Sequence, residues 1–151
     1  MKGILAAFTI FIAFTSTAQK LTTKNFHKQL AGVWEFDSFC DENWQPTEWM
    51  CIDRHTINDT GLVESVRTCE GMDEPIVSIS KWTRFDEEEK VIYTQYYDSY
   101  FGTGWAEEFK HYWVISYTKT ELRVEVRPRP DAIKGGDELT TTLRIIFKRI
   151  E

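Results

Sequence analysis

Leu30-Ala31-Gly32-Val33-Trp34-Glu35-Phe36 opens the first of about eight short strand-like runs, with a Gly-x-Trp at its head. Period-2 alternation bounded by turn residues dominates the chain and long helical periodicity is missing, which predicts an all-β fold. The expected strands cover Gly32–Cys40, Glu48–Ile57, Leu62–Cys69, Ile76–Phe85, Val91–Tyr97, Trp105–Tyr117, Glu121–Arg127 and Glu138–Ile150. Just ahead of them, Asn25–Leu30 suits a single helical turn that plugs one end of a barrel.

The connections say how these strands are arranged. Asn58-Asp59-Thr60-Gly61, Asp86-Glu87-Glu88-Glu89 and Thr118-Lys119-Thr120 are tight and polar, as hairpin turns are. The connections between them are long: Asp41–Thr47, Glu70–Pro75, Asp98–Gly104 and Pro128–Asp137. In an up-and-down barrel successive connections fall at opposite ends, so this alternation predicts one rim of tight turns, closed, and one rim of long loops, a mouth. Eight strands enclose a space that side chains fill or that holds one small ligand. A β-sandwich with Greek-key crossings is the alternative.

Pairing of the first and last strands would bring Arg149, which shares a face with Leu143, Ile145 and Phe147, over the ring of Trp34 in a cation–π contact. Gly32, Trp34 and Arg149 in this arrangement resemble the Gly-x-Trp and last-strand basic residue of the lipocalins and their calycin relatives, particularly the small secreted bacterial ones. The resemblance covers the first and last strands; the other lipocalin motifs, and the helix that usually follows the barrel, are not visible. It implies an eight-stranded up-and-down barrel without a C-terminal helix, a structural role for Gly32, Trp34 and Arg149, and binding of small apolar ligands.

Of 151 residues, the first eighteen read as an export signal. Lys2 precedes the apolar run Ile4–Phe14, which is too short to span a bilayer, and Ser16-Thr17-Ala18 offers a small-x-small cleavage pattern. The expected product is one domain, Gln19–Glu151, secreted or periplasmic and monomeric. The formal net charge of −6, one unit more negative without Lys2, argues against nucleic acid and anionic membranes as partners.

Three cysteines enter an oxidising compartment under this reading, and one is left over. Their spacing fits no metal knuckle, and neither a metal nor a cofactor is expected. If Asn58–Gly61 forms a three-residue hairpin with Gly61 in the left-handed position, Asn58 stands opposite Leu62, Asp53 opposite Arg67 and Cys51 opposite Cys69. The opposite charges suit that register, and directly opposed residues lie within disulfide range. A two-residue turn at Asp59-Thr60 would instead set Cys51 against Thr68.

Counting the sixth strand against the seventh across a two-residue turn points Trp105, Glu107, Phe109, His111, Trp113, Ile115 and Tyr117 inward. Glu107 and His111 are then polar groups in an aromatic wall, reading a ligand's head group or bonding internal partners. The long loops carry Trp44, Trp49, Tyr97, Tyr100, Phe101 and Trp105, a rim that grips a ligand or partner, or rings that fold over the mouth and complete the core. The leading expectation is an exported binding protein holding a small hydrophobic or aromatic molecule in the barrel. A filled barrel whose loops meet a protein or glycan is the second reading. A calycin-type isomerase or decarboxylase using Glu107 and His111 is the third, in the absence of a nucleophile motif.

Overall fold

The computed structural model describes residues 18–98, 104–128 and 141–151. Residues 1–17 of the expected export segment, Tyr100 and Phe101 of the expected rim, and residues 129–140 lie outside the described residues. One helical turn, α1 (Phe26–Leu30), precedes ten strands: β1 (Gly32–Phe36), β2 (Phe39–Cys40), β3 (Cys51–Ile57), β4 (Leu62–Cys69), β5 (Ile76–Asp86), β6 (Val91–Asp98), β7 (Gly104–Trp105), β8 (Phe109–Tyr117), β9 (Glu121–Val126) and β10 (Leu143–Arg149). Eight of them run antiparallel in the order β1-β3-β4-β5-β6-β8-β9-β10, and β10 returns to β1 through Trp34↔Arg149 and Glu35↔Lys148. The sheet is a closed barrel, as expected from the loop alternation, and closure leaves no long edge exposed. β2 extends the β10 edge and β7 the β6 edge.

Two expected strands are interrupted. The run Gly32–Cys40 breaks at Asp37-Ser38; β1 lies between β3 and β10, whereas β2 pairs with β10 and bridges to Pro46 through Cys40. The run Trp105–Tyr117 breaks at Ala106–Glu108, between β7 and β8. The second strand starts at Cys51, not at Glu48.

The tight turns share one device, a side-chain oxygen that accepts a backbone N–H from within the turn. Asn58 Oδ1 accepts from Leu62 N (2.9 Å), Asp86 Oδ1 from Glu89 N (3.0 Å) and Thr118 Oγ1 from Glu121 N (2.9 Å). Gly61 takes φ +84°, and a Cβ there would stand 2.3 Å from the Trp82 carbonyl oxygen, so only glycine fits. That hairpin sets the β3–β4 register as read from the sequence: Asp53 faces Arg67, and Cys51 forms a disulfide with Cys69. Cys40 is the remaining thiol, buried.

α1 seals the end where β1 begins and β10 finishes. The Trp34 indole N–H donates to the Leu30 carbonyl (2.7 Å), while the Gln29 carbonyl accepts from Tyr117 Oη (2.8 Å) and from Arg149 Nη2 (2.5 Å). Above the helix, the Arg149 guanidinium sits 4.4 Å from the centre of the Trp34 ring, and His27 Nε2 donates to the Trp82 carbonyl (2.6 Å). Backbone groups of a short turn that would otherwise need water are thereby bonded to the barrel. Gly32 holds φ +137°, with the Glu151 carbonyl oxygen 2.6 Å from where a Cβ would be.

This end carries most of the buried core. Leu30, Trp34, Val63, Trp82, Ile92, Leu122 and Phe147 are almost wholly buried. Phe147 is the centre of an aromatic layer, edge-on to Phe36 (5.2 Å), His55 (5.1 Å) and Tyr112 (6.0 Å).

Trp34→Ala is expected to cost about 3–5 kcal/mol because it empties a ring-sized space. Arg149→Ala should cost less, and urea titration of the double variant should show the two effects coupled by at least about 0.5 kcal/mol; simple additivity would refute the shared contact. Breaking the disulfide by Cys51→Ser with Cys69→Ser should lower stability by about 2–4 kcal/mol in the same measurement.

Candidate functional site

Among the described residues the mouth half of the barrel is not filled. A cavity of about 230 Å³ opens there, lined by residues of β1 to β6 and β8 to β10. Its two sides differ in chemistry. β3, β4 and β5 present Asp53, His55, Ser65, Arg67, Ser78 and Ser80, while β1, β2, β9 and β10 present Phe36, Phe39, Val126, Leu143 and Ile145. Between the two walls stand Tyr96 on β6 and His111 and Tyr112 on β8.

Register explains the polar wall. Residues directly opposed in an antiparallel pair point to the same face, and His55 faces Ser65, which faces Ser78. Asp53 faces Arg67 one step nearer the mouth, and Ile57 faces Val63 two residues nearer the closed end. Ile57 and Val63 belong to the core, so period-2 alternation carries the same inward face from apolar residues to Asp53 and Arg67 as the strands rise.

Within this wall Arg67 Nε donates to Asp53 Oδ1 at 2.7 Å. The Asp53 side chain is 6% exposed and that of Arg67 41%, so the carboxylate is fixed in the wall and the guanidinium reaches the rim, 5.6 Å from the Trp49 ring. Asp53 Oδ2 is buried and has no hydrogen-bond partner among the described residues. Leaving such an oxygen unsatisfied is costly. His55 Nδ1 lies 2.9 Å from Ser65 Oγ, and burial pulls the His55 pKa down to about 4, so the imidazole is neutral at pH 7. His111 Nδ1 lies 3.0 Å from Thr94 Oγ1, and its ring stacks on Tyr112 at 3.8 Å. Burial also drives the Tyr112 hydroxyl well above its ordinary pKa, which keeps it a neutral donor.

Several residues expected at the site are elsewhere, and two β-bulges in β8 account for Trp113 and Ile115. Ile115 is an extra residue against β9, and His111 is one against β6. Each bulge shifts the inward face by one residue. Tyr117, His111 and Phe109 therefore point inward as expected, whereas Tyr112 and Val114 replace Trp113 and Ile115. Trp113 packs outside under Arg127 (5.0 Å), and Ile115 is 46% exposed. Glu107 lies exposed between β7 and β8, away from His111, so the expected acid–base pair does not form. Its neighbour Glu108 is tied to Thr83 and Arg84 instead.

Among the rim aromatics, Trp49 is at the mouth, edge-on to Phe39 at 4.7 Å. Trp44 is not: its ring lies 5.8 Å from Arg123, which sits opposite Ile146 on the outer wall. Tyr97 and Trp105 are opposed in the β6–β7 pair, with rings 5.4 Å apart. They fall on the outer face, because neighbouring Tyr96 takes the inner one. Further hollows among the described residues lie away from this cavity. One of about 310 Å³ lies between Ala18–Leu21 and β8, and one of about 400 Å³ is bordered by Trp49, Met50 and the disulfide.

Comparison with known proteins finds no matching family model, no matching curated protein and no matching solved structure.

Neutral burial of His55 has a pH signature. Its folded pKa lies below the unfolded value of 6.5, so as pH falls from 6.5 towards 4 the unfolded chain takes up a proton that the folded one refuses. Stability is lost across that window, by about 3 kcal/mol at most, and regained as pH rises. Urea titrations at pH 7 and pH 4.5 should show a smaller loss for His55→Phe than for the unaltered protein; equal losses would contradict the assignment.

Proposed function

We propose that this protein is an exported, lipocalin-like carrier that holds one small molecule in the mouth half of its barrel. The observation that carries the reading is the division of one cavity into an apolar wall and a wall of hydrogen-bonding groups. A protein that needed only stability would fill this space with apolar side chains, since a void forfeits packing and a buried ion pair is at best a weak stabiliser. At about 230 Å³ the space falls below the roughly 300–1,000 Å³ of pockets that take larger ligands. The expected ligand is a single ring or a short branched chain, smaller than a retinoid, a haem or a long-chain fatty acid. Its apolar face would lie on Phe39, Leu143 and Ile145, and its polar edge on β3–β5.

Export is supported by the charged and apolar N-terminal run with its small-x-small pattern and by the Cys51–Cys69 disulfide, a bond of oxidising compartments. The likeness to lipocalins rests on the closed eight-stranded barrel and on Gly32, Trp34 and Arg149 at its sealed end.

A second reading is favoured by the outer surface near the mouth. Met50, Ile52 and Met72 are 72%, 47% and 47% exposed, and an apolar surface of this kind suits a protein or glycan partner.

Binding is tested by titrating the protein with one-ring aromatics and following backbone amide NMR shifts. The carrier reading expects the shifts to concentrate at Asp53, Ser65, Ser80 and Ile145. His111→Ala should weaken binding about tenfold, and Trp113→Ala, on the outer face, should leave it within twofold. Shifts confined to Met50, Ile52 and Met72, or none at all, would replace the carrier with the interaction module.

A further inference from the structure

We infer that Asp53 selects the ligand: its buried Oδ2 is the acceptor for an N–H or O–H donor on an uncharged, one-ring molecule. The inference rests on the carrier reading above and adds the chemical class of what is carried.

Charge sets the first condition on the ligand. Asp53 and Arg67 offset each other at 2.7 Å, and His55 between them and the core is neutral. A cationic ligand would find the carboxylate already paired, and an anionic one would find the guanidinium already paired. Either would have to give up its hydration for a site with no net charge on its polar wall, a poor exchange. A neutral ligand loses much less.

Direction sets the second. Arg67 holds Oδ1, which fixes the plane of the carboxylate and leaves Oδ2 as its second oxygen. That atom is buried without a partner among the described residues, in a residue that lines the cavity. A carboxylate oxygen can only accept, and hydrogen bonds to ionised groups are about twice as strong as neutral ones. The wall thus discriminates by what it lacks: a ligand with a donor supplies the missing bond, and a ligand of the same shape without one leaves the oxygen desolvated and bare. Sites of this construction reject the analogue without the donor far more strongly than they sense an added methylene.

The opposite wall limits shape. Phe36, Phe39, Leu143 and Ile145 offer a hydrocarbon surface, and Tyr112 and His111 are stacked rings at its side, so a flat apolar body suits the space between the walls. A flat ring with a neutral amino, amide or hydroxyl group on its edge meets both walls at once.

Aniline and toluene have the same shape and no charge at pH 7.5, and they differ in the donor. Dissociation constants for both, measured from amide NMR shifts of the cavity residues, test the inference on the full exported domain. The expected result is aniline at least about tenfold tighter than toluene, against the ordinary preference of an apolar cavity for toluene. In Asp53→Asn, Arg67 keeps the amide oxygen and turns the amide N–H₂ to the ligand, so the ratio should fall to within about twofold. If both probes move the cavity residues and toluene binds as well as aniline, the inference is wrong and the carrier reading survives. If the ratio persists in Asp53→Asn, another group is the acceptor and Asp53 is wrongly assigned. Tighter binding of the benzylammonium cation than of aniline would overturn the neutral class. If no probe moves these residues, the carrier reading fails and the inference with it. Should Asp53→Asn not fold, the ratio in the unaltered protein decides alone.

Discussion

The contact on which the barrel depends is the meeting of its first and last strands over α1. Gln29 and Leu30 offer carbonyls that an isolated helical turn could not satisfy; Arg149, Tyr117 and Trp34 satisfy them from three different strands. Because those donors converge only when β10 lies beside β1, the bonds that hold the helix in place also require the sheet to be closed. Gly32 permits the approach by having no Cβ at the point where the chain's last residue passes. With this end sealed and packed around Trp34 and Phe147, the other end is relieved of carrying the core.

That division of labour accounts for the composition of the interior. Going up β3 and β4 from the sealed end, the inward residues change from Ile57 and Val63 to His55 and Ser65, then to Asp53 and Arg67. The polar groups begin where the solid core ends. Each is placed by the register of neighbouring strands, so a hydrogen bond such as Ser65 to His55 costs little additional ordering, and burial then holds His55 uncharged. The Cys51–Cys69 bridge ties the same strand pair together at the mouth, where the packing that secures the lower half is absent.

Much of the site was hidden by local irregularities. Alternation along Trp105–Tyr117 makes every odd residue inward, and two bulges in β8 overturn that for Trp113 and Ile115 while preserving it for Phe109, His111 and Tyr117. A bulge leaves no mark in the hydrophobic pattern of a strand whose two faces are both rich in aromatics, as this one is. Asp53 and Arg67 were visible as an opposed pair that supports the β3–β4 register; their position inside the barrel was not. The parity they share with Ile57 and Val63 carries that information, but only once those two are known to be core. Trp44, Tyr97 and Trp105 are loop or strand-end residues, and nothing in the chain's pattern says whether a ring beside a rim turns in or out.

By itself the sequence determined the features that depend on near neighbours or on strict alternation. These are the eight-stranded closed barrel, the tight turns with their Asn, Asp and Thr acceptors, the hairpin register that joins Cys51 to Cys69, and the pairing of Trp34 with Arg149. Turn chemistry and period-2 patterning act over a few residues, and a register once set by Gly61 propagates along the whole hairpin without further information. Only the tertiary structure decided which faces of β3, β4, β5 and β8 enclose the cavity and that one wall of it is polar. It also decided that one Asp53 oxygen is buried with no bond among the described residues. Those properties belong to the closed barrel as a body: the inside of a sheet exists only when distant strands have met, and bulges, interior volume and the pairing of buried charges are fixed by that meeting.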